Sequence, residues 1–173
     1  MATLSVGGTT VFDGSALQSG VTFPAGHVIQ TVSNQVTASS TARTVNSFAK
    51  VVRASDSALV FTGQITNVGA SNKVLAMMKV NTYTVQNDAA DGGAICLYRG
   101  DDIIYSHPSG HANYHGSAPS GMGYYTDWQY CFLDTSPDTG TNNYYMGYRI
   151  YSNASIIVEG NQPFHIILQE IQG

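Results

Sequence analysis

Three histidines recur at four-residue intervals, His107, His111 and His115, and imidazole is a good zinc ligand. On a helix this spacing would bring all three rings to nearly one face. Pro108, Gly110 and Gly116 make a helix poor here. In a loop the rings can still converge on a metal, and in an oligomer one ring from each subunit can meet on the symmetry axis. The simpler alternative is a polar surface loop, and a third has the loop touching a receptor or a neighbouring subunit. Tyr114, Tyr124, Tyr125, Trp128 and Tyr130 flank or follow the histidines. Tyr and Trp combine large contact area with a polar tip, which suits interfaces and sugar stacking. On a strand Tyr124, Thr126, Trp128 and Tyr130 share a face, so part of this set belongs to the core or to a subunit contact. The expected receptor- or surface-contact residues are His107, His111, Tyr114, His115, Tyr124 and Trp128.

Other chemistry has weaker support. Asp88, Asp91, Asp101 and Asp102 do not follow the spacing of a calcium-binding EF-hand loop and read as solvated turn carboxylates. No Gly-x-Ser-x-Gly elbow is present. Gly121-Met122-Gly123 is too short to cradle a phosphate, and no Lys-Ser/Thr follows it. The two glutamates, Glu159 and Glu170, lie near the ends of predicted strands, and Glu170 reads as an exposed or interface residue. The expectation is a protein without catalytic activity and without a cofactor.

Composition points the same way. In 173 residues, apolar side chains make up 43% and charged ones only 10%, against roughly 25% charged in an ordinary soluble protein. Gly, Ser, Thr, Asn, Gln and Tyr carry the polar surface instead, which fits a β-rich extracellular, virion or assembly protein. The net charge is −4, and the seven basic residues are scattered from Arg43 to Arg149. With no basic stripe, nucleic-acid binding and polybasic membrane attachment are not expected. No secretory signal pattern and no membrane-spanning apolar stretch is seen, so membrane insertion is not expected. Cys96 and Cys131 lie in apolar contexts and read as buried free thiols, with a disulfide as the alternative.

The elements that position these residues are strands. No window shows helical periodicity with caps, and nine or ten strand candidates recur at roughly 8–12-residue spacing, the signature of a sandwich or barrel. Residues 1–22 read as an extended N-terminal arm, rich in Gly and small polar residues, with apolar anchors at Leu4, Val6, Val11, Phe12 and Leu17. Phe23-Pro24-Ala25-Gly26 is a turn signal that opens a globular domain over 23–173. Strands are predicted over 27–33, 48–52, 59–65, 73–85, 94–99, 103–105, 124–133, 143–152 and 156–159. The last runs from Phe164 and is apolar on both faces. Phe164, Ile166 and Leu168 share one face; His165, Ile167, Gln169 and Ile171 share the other. A strand apolar on both sides is covered on both, the second cover being either another sheet or another subunit. It is expected at the centre of a sheet, and the subunit alternative places Ile167, Gln169 and Ile171 at a subunit interface.

Four stretches, taken in order, carry a family resemblance: Phe23-Pro24-Ala25-Gly26-His27-Val28-Ile29-Gln30, Ala70-Ser71-Asn72-Lys73-Val74-Leu75, Leu97-Tyr98-Arg99-Gly100-Asp101-Asp102-Ile103-Ile104-Tyr105, and Ile166-Ile167-Leu168-Gln169-Glu170-Ile171-Gln172-Gly173. Over 23–173 the chain resembles C-terminal head domains of marine and cyanobacterial tailed-phage structural proteins, of the kind called tail fibre proteins. The resemblance implies an all-β, jelly-roll-like antiparallel sandwich, similar in architecture to the C1q and tumour-necrosis-factor heads. It further implies a homotrimer on the surface of a phage particle, without enzymatic activity. Fibre proteins carry a long shaft before the head, whereas about twenty-two residues precede it here. Adhesion to a host-surface glycan or protein therefore stands beside a second expectation, a capsid decoration (cement) protein that stabilises the shell. In both, the arm attaches the head to other virion proteins. A non-viral, lectin-like binding module is the third alternative.

Overall fold

The computed structural model describes residues 3–6, 9–13, 16–17, 25–37, 39–40, 42–44, 47–56, 58–59, 62–86, 92–106, 121–151, 154–158 and 164–173. No helix occurs among them. The strands are β1 (Thr3–Val6), β2 (Thr9–Asp13), β3 (Ala16–Leu17), β4 (Val28–Val36), β5 (Ala49–Lys50), β6 (Thr62–Val68), β7 (Lys73–Gln86), β8 (Gly92–Arg99), β9 (Asp102–Ser106), β10 (Met122–Asp134), β11 (Gly140–Tyr151), β12 (Ser155–Val158) and β13 (Phe164–Ile171).

Two antiparallel sheets face each other. One has the order β10-β7-β13-β4, with β12 beside β7 beyond the end of β13; the other has the order β6-β11-β8-β9, with β5 beside β11 beyond the end of β6. The eight longer strands pair as nested hairpins: β8 with β9, β7 with β10, β6 with β11, and β4 with β13. One long antiparallel ribbon rolled on itself gives this order, and it is the jelly roll. The tip of the ribbon is the predicted hairpin, where Gly100 takes the positive φ of 54° that the tight turn between β8 and β9 requires.

Strict alternation fills the space between the sheets. From β7 come Val74, Ala76, Met78 and Val80, from β13 Phe164, Ile166 and Leu168, and from β12 Ile156 and Val158; Ile65, Ile95, Leu97, Tyr144, Met146, Tyr148 and Ile150 face them from the other sheet. The side where β9 and β10 form neighbouring sheet edges is sealed by aromatic rings. Trp128 stacks on Tyr130, and Tyr105 packs against Tyr130 and Phe132 with ring centres 5.4 Å apart in each case.

One end of the core is closed by two carboxylates. Asp134, Val74, Glu170 and Gln30 form a single row across the sheet, and Asp134 and Glu170 point inward, 5% and 2% exposed. Asp134 accepts from Arg99 Nη1 at 2.8 Å, from the Tyr144 hydroxyl at 2.8 Å and from the Ser136 amide at 3.1 Å. It thereby ties β10 to β8 and β11 of the opposite sheet. Glu170 accepts from Gln30 Nε2 at 2.6 Å, the Gly69 amide at 2.9 Å and Asn72 Nδ2 at 2.5 Å. Burial pushes the Glu170 pKa up; the bonds from Asn72, Gly69 and Gln30 outweigh it and hold the carboxyl below its ordinary value. Glu170 is thus a buried structural anchor and not the exposed or interface residue expected from sequence. Its parity with Phe164, Ile166 and Leu168 placed it inside.

Two strand expectations are corrected. The 48–52 strand is reduced to Ala49–Lys50, because that segment shares one edge of β11 with the longer β6. The 59–65 strand is shifted along the chain and runs Thr62–Val68, with Asn67 at φ 58° just before the turn in which the Asn72 amide donates to the Gly69 carbonyl. In the N-terminal segment β1, β2 and β3 form a three-stranded antiparallel sheet of their own, with Leu4 opposite Phe12 and Phe12 opposite Leu17.

A folded carboxyl with a depressed pKa contributes stability above its unfolded value, and that contribution is lost as pH falls through the folded pKa. Glu170→Gln leaves donors facing an amide and should cost about 1–3 kcal/mol at pH 7. Acidification below the ordinary carboxyl value of 4.5 should then destabilise the wild type more than the variant. Urea midpoints at pH 7 and pH 3 check this; parallel loss in both proteins would contradict it.

Candidate functional site

The two outer sheet faces differ in what covers them. On the β6-β11-β8-β9 sheet, β8 is buried on both sides from Gly92 to Tyr98. Its outward residues Ala94, Cys96 and Tyr98 lie beneath the chain's own residues. Lys50 sits over the rings of Tyr145 and Tyr98, 4.5 and 5.7 Å from their centres, and pairs with Asp101 at 2.6 Å. Arg149 lies over the Phe48 ring. Gly147 is glycine because the Tyr98 ring and the Cys96 sulfur occupy the place of a Cβ. Burial pushes the Cys96 thiol up to about 12, so it is an inert packing group.

The outer face of the β10-β7-β13-β4 sheet has no such cover among the described residues. Successive rows across it read Leu133–Leu75–Gln169–Thr31, then Cys131–Met77–Ile167–Ser33, then Gln129–Lys79–His165–Gln35. Ile171 stands opposite Lys73 at one end. At the other, Tyr83 packs on Tyr125 with ring centres 4.8 Å apart, and Asn81 Nδ2 donates to Asp127 at 2.7 Å. Leu75, Met77, Ile167 and Ile171 are half-buried, Leu133 and Cys131 exposed. Met77, Lys79, Gln129, Cys131, His165 and Ile167 line a shallow depression of about 380 Å³. The face is an apolar band crossed by one cationic and one amide–carboxylate row. That arrangement presents a packing surface with polar positions to fix register.

The structure brings Ile167, Gln169 and Ile171 together on this face, with β13 central between β7 and β4. Sequence reasoning missed the neighbours that complete the band, Leu75, Met77, Cys131 and Leu133. Their outward parity was legible strand by strand, but the register that aligns them with Ile167 was not. Cys131 is corrected from buried to exposed. A bond to Cys96 is excluded in the fold, because the two thiols lie on outer faces of opposite sheets.

Trp128 is also corrected. It is 6% exposed and donates from Nε1 to the buried Thr82 hydroxyl at 2.7 Å, so it is a core residue and cannot meet a receptor. Tyr124 is half-buried on the same inward side of β10, whereas Tyr125 is 68% exposed. His107, His111, Tyr114 and His115 lie outside the described residues. So do the side chains of Leu4, Val6, Val11, Phe12 and Leu17. Among the described residues no group of three His, Cys, Asp or Glu side chains is placed to hold a metal. No helix of the described residues is long and apolar enough to cross a membrane.

No protein-family model matches the chain, and no curated protein matches it. Solved structures with a similar arrangement include dimeric latent PorU from Porphyromonas gingivalis, at 12% identity and TM-score 0.34, over 92% of this chain and 15% of that one. They also include a chain of infectious bursal disease virus, Gt strain, at 9% identity and TM-score 0.37, over 94% of this chain and 41% of that one. A chain of the Gx strain gives 6% identity and TM-score 0.36, over 94% and 42%. This chain thus spans less than half of each of these structures.

The corrected role of Trp128 has a direct test. Trp128→Ala should cost about 3–5 kcal/mol, whereas Tyr125→Ala, on the open face, should stay within about 0.5 kcal/mol. Denaturant titration of the two variants distinguishes them; equal effects would contradict the assignment of inward and outward faces.

Proposed function

We propose that the chain is a non-enzymatic structural protein of a phage particle, the trimeric head of a tail-fibre or spike-type assembly that adheres to a host surface. The observation that carries this reading is the asymmetry of the sandwich: one outer face is closed by the chain's own residues, whereas the other is, among the described residues, an uncovered apolar band centred on Met77 and Ile167. Completing the burial of a half-buried Leu, Ile or Met side chain gains on the order of 1 kcal/mol. Several such residues in one band make association favourable, and closed symmetry is the usual outcome for identical copies. The number three, the virion location and the adhesive role rest on the resemblance to phage head domains. The low charge of the chain fits an assembly protein. The contact residues are Leu75, Met77, Leu133, Ile167 and Ile171, with Gln169 bonding within the band, and residues 1–22 attach the head to its partner on the particle.

Ile167→Asp places a carboxylate in the band without touching the core, whereas Ile166→Asp buries one inside it. Sedimentation equilibrium and far-ultraviolet circular dichroism are expected to show a folded monomer for Ile167→Asp and an unfolded chain for Ile166→Asp. Unfolding in both, or an unchanged trimer in Ile167→Asp, rejects the interface. Copy number per particle separates adhesion from decoration: a few dozen copies or fewer fit a fibre tip, and several hundred fit a cement protein.

A further inference from the structure

The sheet that carries the apolar band holds a second feature at its other end. Two polar rows, Gln129–Lys79–His165–Gln35 and then Asp127–Asn81, separate the band from the row Tyr125–Tyr83–Ile157. Tyr125 is 68% exposed, more than any other exposed large hydrophobic side chain among the described residues. Tyr83 is half-buried and packs on it with ring centres 4.8 Å apart and planes 41° apart. Gly123 is the next residue of β10 on the same side, and a Cβ there would collide with the Tyr83 hydroxyl and ring. The glycine lets Tyr83 lean across β10, so the two rings make one continuous platform.

Asp127 stands on the other side of Tyr125 along β10 and is exposed. Asn81 Nδ2 donates to its Oδ1 at 2.7 Å and fixes the carboxylate, while no described residue bonds Oδ2. A carboxylate only accepts, so a ligand here supplies donors, and an anionic ligand is repelled. Lys79 lies one row further from the rings. Size decides between a protein and a small molecule. Two tyrosines offer about 300–500 Å² together, short of the roughly 800 Å² per partner that a stable protein contact buries. The exposed ring of Tyr125 also leaves the platform open, whereas a quaternary ammonium is held by aromatic groups arranged as a cage.

We propose that Tyr83, Tyr125 and Asp127 form a binding site for a neutral saccharide. A pyranose ring has a C–H face that lies on an aromatic ring, and hydroxyls at its rim that donate to a carboxylate. Tyr125 takes the C–H face, Tyr83 widens the platform, and Asp127 Oδ2 accepts from a hydroxyl while Asn81 holds Oδ1. A few placed polar groups beside an apolar surface set the orientation of such a ligand. The inference deepens the adhesive reading by naming its ligand class, and it uses residues outside the apolar band.

Saturation-transfer difference NMR on the full chain tests this with the methyl glycosides of glucose, galactose, mannose and N-acetylglucosamine, and with N-acetylneuraminic acid and choline for comparison. At least one neutral glycoside is expected to bind with Kd below about 50 mM, with the strongest transfer to the C–H protons of one ring face. Tyr125→Ala and Asp127→Ala should each weaken it by about tenfold or more, with circular dichroism and sedimentation mass unchanged. No binding by any neutral glycoside, tighter binding of the acid or of choline, or binding that neither variant weakens overturns the proposal. Loss of the oligomer in Tyr125→Ala does so too, because it assigns the rings to a subunit contact. Sugar binding by a protein present in several hundred copies per particle would reject the fibre tip and keep the site; a low-copy protein that binds none of the glycosides would do the reverse.

Discussion

Strand β7 is the constraint on which the rest of the structure depends. It is paired along nearly its whole length on both sides, with β10 on one flank and β13 and then β12 on the other. Its side chains alternate without interruption from Val74 to Val85. A strand held this way cannot slip by one residue without turning Val74, Ala76, Met78 and Val80 out of the core. The same register fixes what faces outward. Leu75 and Met77 fall in line with Ile167 on one side and with Cys131 and Leu133 on the other because their inward neighbours are locked. The apolar band is therefore a consequence of core packing and not a separate device.

The two inward carboxylates sharpen this constraint. Asp134 and Glu170 stand on either side of Val74 in one row, each saturated by donors from neighbouring loops or the opposite sheet. Buried charges left without partners are expensive, so a shifted register would strand both. They favour one alignment of β10, β7 and β13 over its neighbours, and the outer face inherits that alignment. Full hydrogen bonding gives both groups a structural role at the closed end of the core.

Much of the fold was legible in the sequence because period-2 alternation and turn chemistry carry it. The 73–85 strand, the hairpin at Gly100 and the two faces of the last strand are seen where alternation and glycine placed them. Failures arose where the decisive interaction is distant in sequence. A glutamate near a strand end reads as exposed or interfacial, yet Glu170 shares the parity of Leu168 and is buried; its partners Gln30, Gly69 and Asn72 come from elsewhere in the chain. Aromatic clusters suit interfaces and so suggest a contact surface for Trp128, but the buried Thr82 hydroxyl of the neighbouring strand accepts its indole N–H. The short strand at Ala49–Lys50 reflects competition with β6 for one edge of β11, which local propensity does not encode. The outward parity of Ile167, Gln169 and Ile171 is read from one strand, while their neighbours on β7 and β10 need the register.

The central claim is that the open face bearing Met77 and Ile167 is covered when copies of the chain associate. Cys131 lies within that face and Cys96 is sealed on the opposite sheet, so the chain contains both a reporter and an internal control. Alkylation of the native protein followed over a dilution series reads the claim directly. Cys131 should be protected at concentrations where sedimentation shows an oligomer and should react freely once dilution releases monomer, with Cys96 unreactive throughout. Alkylation of Cys131 at one rate across the series, in a protein whose mass shows it to be associated, would place the subunit contact elsewhere.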